Sequence, residues 1–210
     1  MARTAASFNR RKPFLKQEPK ILVICEDSKS GKRYLEDASR HFKAKVYVEF
    51  VYYSKNSPRN IVNQAIKRQK DFDKVFCVID RDTHETFDEA LSLAKTITKI
   101  EVITSYPCFE FWLLLHFGCF RDPYYAFGKD SAADLVIKQL RNYSCLKNYD
   151  KGQDINIFNL MLDKFNMARQ NSPKVLAEAK QTGEMNPSTQ LHELIDEFEK
   201  LSKPQPIDSK

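Results

Sequence analysis

ILVICEDSKSGKRYL, residues 21–35, runs from four aliphatic residues through Cys25 into an acidic pair and then into Ser30-Gly31-Lys32. An apolar strand followed by Gly-Lys invites a phosphate-gripping P-loop. The pair Glu26-Asp27 invites metal chemistry instead, and the two readings imply different sites. The P-loop pattern G-x-x-x-x-G-K-[ST] needs a first Gly for its turn and a Ser or Thr after the Lys to hold magnesium. Here the first Gly is missing and Arg33 follows Lys32. The mechanical parts of a P-loop are therefore absent, and the weight shifts to the acids.

Outward from this stretch, strand-like and helix-like segments alternate. ILVIC (21–25) is a continuous apolar run of the kind buried on both faces of a parallel sheet. Residues 30–42 place Tyr34, Leu35, Ala38 and Phe42 at helical spacing. KVYVEFVYY (45–53), VFCVID (75–80) and KIEVITS (99–105) read as three further strands. Ser57-Pro58 opens a helix to about Asp71, with Ser as cap and Pro in the first turn. Helices over 85–98 and 108–117 complete the alternation. The pattern predicts an α/β fold: a parallel sheet of about four strands with helices on both faces. Ligands of such sheets bind beyond the carboxyl ends of the strands. Glu26 lies just past strand one, and Asp80 and Asp82 at the end of strand three, so these carboxylates are expected to converge. In an extended VIDRDTH, Asp80 and Asp82 point one way and Arg81 the other. Carboxylates so placed suit Mg²⁺, or Mn²⁺, together with water and substrate phosphate.

After residue 120 the strand signal disappears. RDPYYAFGKD (121–130) reads as a loop, and helices are expected over 131–141, 154–170, 173–181 and 188–201, the last capped by Ser188 or Thr189. The expected organisation is a basic arm (1–19), an α/β domain (20–120), a C-terminal helical region packed on it (121–202) and a polar tail (203–210).

Apolar residues form 42% of the chain and aromatics 12%, enough for a full core in 210 residues. No apolar run approaches a membrane span, and MARTAASFNRRKPFLKQEPK lacks the core of a signal peptide, so a soluble cytoplasmic protein is expected. The net charge of +6 is concentrated at the start, where six Lys/Arg face Glu18 alone within residues 1–20. Arg10, Arg11 and Lys12 in this arm suit sequence-independent attraction to nucleic-acid phosphates; a solvated tail is the plain alternative. Lys29, Lys32, Arg33 and His84 are further candidates for phosphate contact. Five dispersed cysteines give neither a disulfide framework nor a zinc pattern and are expected as small core residues. Glu110 is a lone acid in an apolar helix start, open between a dipole role and a further acid at the metal site. His116 and Trp112 are expected in the core, and Tyr124, Tyr125 and Phe127 are expected to pack over it rather than to stack on bases.

ILVICEDSKS with Tyr34, VIDRDTH (78–84), SYPCFEFWLLLHF (105–117), Tyr149-Asp150-Lys151 and NPSTQLHEL (186–194) together resemble the RloB-like proteins, over about residues 18–201. That family carries a Toprim-type domain, is often encoded beside restriction-modification genes, and has a relative in abortive infection against phage. The resemblance implies a Mg²⁺-dependent nuclease with Glu26, Asp80 and Asp82 as catalytic metal ligands, Asp27 and Glu110 as additional candidates, and nucleic acid as partner. The family usually reads Cys-Glu-Gly-x-x-Thr-Glu. Here Asp27, Ser30 and Gly31 replace the Gly, the Thr and the second Glu, which implies a one-metal or weakened enzyme. Asp27 is more readily a cap for the next helix than a replacement ligand. The alternative is a catalytically weakened module that binds nucleic acid or a partner ATPase of a defence operon, through the helical region among others, without cleaving. A homodimer is left open.

Overall fold

The computed structural model describes residues 19–26, 29–44, 47–52, 57–81, 84–153 and 155–203, with backbone alone at 47–52. Asp27, Asp82 and the arm residues Arg10, Arg11 and Lys12 lie outside the described residues. Four parallel strands, β1 (Lys20–Cys25), β2 (Tyr47–Tyr52), β3 (Lys74–Asp80) and β4 (Ile100–Tyr106), stand in the order β2-β1-β3-β4. A two-residue antiparallel strand, β5 (Ser188–Thr189), pairs with Ser105 and Tyr106 at the edge.

The apolar runs are continuous because both faces of the sheet are covered. Ile21, Val23, Phe76 and Val78 enter one core, and Leu22, Ile24, Val75, Cys77 and Ile79 the other. Each fully buried aliphatic side chain is worth about 1.5–3 kcal/mol, and the two-residue period of a strand shares this stabilisation between the faces. Helices α2 (Pro58–Arg68) and α3 (Phe87–Ala94) cover the second face. Ser57 Oγ accepts the Asn60 N–H at 3.3 Å, with Pro58 in the first turn, so α2 starts as its sequence predicts.

The first face is covered by α1 (Ser30–His41), α4 (Glu110–Leu114), α5 (Ala132–Leu140), α6 (Ile157–Met161), α7 (Phe165–Thr182) and α8 (Leu191–Ser202). Several boundaries differ from expectation. The helices expected over 85–98 and 108–117 shrink to α3 and α4; beyond Leu114 the chain tightens into bonds from His116 N to Leu113 O and from Phe117 N to Leu114 O. The break expected before Pro173 falls earlier, at the 3₁₀ turn Leu162–Lys164, and α7 runs through Pro173. The buried face of Phe165, Ala168, Ser172, Val175, Leu176 and Ala179 outweighs the helical cost of the proline. Ser188 and Thr189 form β5 instead of capping α8. Ser105 Oγ lies 2.9 Å from Thr189 Oγ1, and buried Ser172 donates to Thr189 O at 3.0 Å. Cys25, Cys77 and Cys108 are core residues as expected, but Cys119, in a loop, and Cys145, in the single 3₁₀ turn Ser144–Leu146 of which only Leu146 is buried, are exposed.

Candidate active site

β1 ends at Cys25, and the next backbone N–H, that of Glu26, bonds to Val78 O at 3.1 Å. This holds Glu26 beside the end of β3. Its Oε2 accepts the Asp80 backbone N–H at 3.0 Å, and its Oε1 lies 2.8 Å from His84 Nε2. Asp80 closes β3 opposite Ser105 of β4. Arg81 turns to the other side, where its guanidinium stands 5.0 Å from the centre of the Phe87 ring. The alternation expected for Asp80 and Arg81 is present.

Glu110, the first residue of α4, is 1% exposed, and its carboxylate joins the same edge. Burial, then the charges of Glu110 and Glu26, push the Asp80 carboxyl well above its ordinary range. Lys151 and the Phe109 N–H oppose that shift. Burial first, then the Glu110 and Asp80 charges, also raise the Cys108 thiol, which stays protonated.

The partners of Glu110 come from a segment far along the chain. Tyr149 Oη lies 3.1 Å from Glu110 Oε1 and 3.0 Å from Ser30 Oγ. A phenol has one proton; the carboxylate is the stronger acceptor, so Ser30 donates to Tyr149 and Tyr149 to Glu110. Lys151 Nζ stands 3.2 Å from Glu110 Oε2. Oε2 nevertheless has no hydrogen-bond partner, so this contact is one of charge rather than of an aligned bond. Burial alone would lower the Lys151 pKa; Glu110, Cys108 and Asp80 outweigh it and hold the ammonium charged.

The basic candidates near α1 divide. Lys32 turns to Glu36 at 3.5 Å, one turn along. Arg33 donates to Gln153 O at 3.1 Å. Lys29 lies against Gly152, where a Cβ would come within 2.6 Å of Lys29 Cδ. Gly31 also has a structural reason: a Cβ there would stand 3.3 Å from the buried Phe109 ring. A side chain at this position would press on Phe109, which would have to give by a few tenths of an ångström.

Among the described residues, no three His, Cys, Asp or Glu side chains are placed to hold a metal ion directly. The donor chemistry nonetheless fits a hard divalent cation: three carboxylates at one sheet edge, one carrying a buried oxygen without a hydrogen bond. Elsewhere, His116 and Trp112 are fully buried, as expected. Tyr124 packs toward Phe111, but Tyr125 and Phe127 are 59% and 80% exposed, contrary to expectation, at a tip whose chain turns at Gly128. Phe127 and Asp130 exchange backbone bonds across the turn, at 3.0 and 3.1 Å. Tyr149 and Lys151 are the site residues that sequence reasoning missed; their only signal is the Tyr-Asp-Lys motif, which carries no indication of the edge it returns to.

The family model for RloB-like proteins matches residues 21–198, from β1 to α8. The chain belongs to the RloB-like family. The match takes in both the strand-end acids and the helical region that supplies Tyr149 and Lys151. No curated protein and no solved structure matches it. Among the described residues, no helix of this RloB-like protein is long and apolar enough to cross a membrane.

Proposed function

We propose that this RloB-like protein is a Toprim-type, Mg²⁺- or Mn²⁺-dependent enzyme that hydrolyses nucleic-acid phosphodiesters, in bacterial defence against phage. The observation that carries the reading is that Glu26, Asp80 and Glu110 crowd one edge of a parallel sheet, where burial first and then the Glu110 and Glu26 charges hold the Asp80 carboxyl above its ordinary range. Such crowding is relieved by a divalent cation, which when bound would polarise a phosphate and lower the pKa of water. Glu26 and Asp80, with Asp82 beyond the described residues, would hold it. His84 Nε2 and Glu26 Oε1 form the pair able to carry a proton to or from a reacting oxygen. The defence role and the nucleic-acid substrate rest on family resemblance and on the basic arm.

One observation favours the second reading, a module that binds nucleic acid or a partner ATPase without cleaving: an ammonium already neutralises Glu110. Single- and double-stranded DNA and RNA, incubated with the protein and Mg²⁺ or Mn²⁺, separate the two. Cation-dependent cleavage is expected, reduced at least a hundredfold in Asp80→Asn. The same variant should melt at a higher temperature than wild type in cation-free buffer at neutral pH, because the unfolded chain gives up the Asp80 proton from its ordinary range upward while the fold holds it, a difference that costs the wild type stability as pH rises. Absence of any cation-dependent cleavage would move the assignment to the binding module.

A further inference from the structure

We propose that Lys151 is a tethered stand-in cation for Glu110, and that the strap Lys151–Gln153 leaves the acid when a divalent ion enters. The inference rests on the metal-site reading above and specifies how that site is regulated.

Glu110 cannot be left bare. A carboxylate 1% exposed and without a counter-charge strongly destabilises the fold. Its two oxygens are served differently. Oε1 is held by Tyr149, itself 2% exposed and anchored in the core, with Arg141 Nε donating to its carbonyl at 2.8 Å. Oε2 has only the unaligned ammonium at 3.2 Å and no hydrogen bond. One oxygen is thus fixed by the fold and the other stands ready to change partners while the carboxylate keeps its aim.

Lys151 is built to leave. Its side chain is 40% exposed, so the ammonium reaches Glu110 from the solvent side. The segment that carries it is held by side chains: Arg33 on Gln153 O at 3.1 Å, and Lys29 lying along Gly152. Its backbone bond from Gln153 N to Asp150 O, at 3.3 Å, ties it to the residue just before Lys151. Gly152 sits at φ 92°, a conformation available to glycine at little cost, directly beside Lys151. Among the described residues, lifting 151–153 breaks no strand or helix bond and leaves Tyr149 in place. The exchange also balances charge in the right sense: one ammonium faces Glu110 and Asp80, and a divalent ion supplies more.

Mn²⁺ is the probe. Binding is measured by calorimetry, and melting temperature with and without the ion, on wild type, Lys151→Met and the double variant Lys151→Met with Glu110→Gln. Lys151→Met should melt lower than wild type without cation, gain more from Mn²⁺ than wild type does, and bind Mn²⁺ at least tenfold more tightly. The double variant, which removes the buried charge with its partner, should fold and lose that gain. In the unaltered protein, amide exchange at residues 151–153 should speed up on adding Mn²⁺, a readout that stands even if Lys151→Met does not fold. Binding by Lys151→Met alone would support the proposal. Equal or weaker Mn²⁺ binding in Lys151→Met than in wild type, or an unchanged strap, would overturn it while leaving the metal site standing. No Mn²⁺ binding by any of the three at millimolar concentration would overturn the metal reading as well.

Discussion

His116 illustrates how a single residue in this chain is tuned by its neighbours. It is fully buried, with Nδ1 3.1 Å from Trp112 O and Nε2 3.3 Å from Tyr34 Oη. A carbonyl only accepts, so Nδ1 carries the proton and Nε2 accepts from the tyrosine; the ring is neutral. Burial holds its pKa at about 4, against 6.5 in the open chain. Between those values the unfolded chain takes up a proton that the fold refuses, so stability is intact above pH 6.5 and falls as pH drops toward 4. The slope from this one group is at most about 1.4 kcal/mol per pH unit. Urea unfolding at pH 7, 5.5 and 4.5 should show His116→Gln losing less stability with acid than wild type; parallel losses would refute the assignment. A core role for His116 was legible because it stands among leucines. The roles of Tyr149 and Lys151 were not: nothing within ten residues of them announces that they meet an acid 39 and 41 positions earlier.

The elements show the same division. β1 and β3 were legible to within a residue, since strands buried on both faces need unbroken apolar runs. β5 was invisible, because two residues carry no period and Asn-Pro-Ser-Thr reads equally as a helix start. Helix α7 is the clearest conflict between local and tertiary preference. Pro173 cannot donate to the carbonyl one turn back, and proline in a helix interior costs about 3 kcal/mol relative to alanine. The helix persists because its buried stripe continues on both sides of the proline. Pro173→Ala should therefore stabilise the protein by about 1–3 kcal/mol in urea unfolding, with no change in the fold. A loss of stability would mean that the proline packs against the core in a way the helix requires.

On the scale of the whole molecule, the region after residue 120 completes the first core. Leu140, Tyr149, Phe158, Phe165, Leu194 and Phe198 pack in one cluster with Tyr34, Phe109 and Trp112. Residues 1–120 alone should consequently fail to melt cooperatively and should bind a hydrophobic dye; a soluble fragment with a sharp thermal transition would show that the α/β part stands by itself. The sequence by itself determined the parallel sheet and the edge to which Glu26 and Asp80 go. Strand and helix periods are local, and strand direction in a parallel sheet carries every carboxyl end to one side. Only the tertiary structure decided what meets those acids: that Glu110 is buried, that Phe109 stands beside Gly31, and that Tyr149 and Lys151 close over the site. Those contacts join distant segments through packing and charge, and no local pattern of residues encodes which distant segment will arrive.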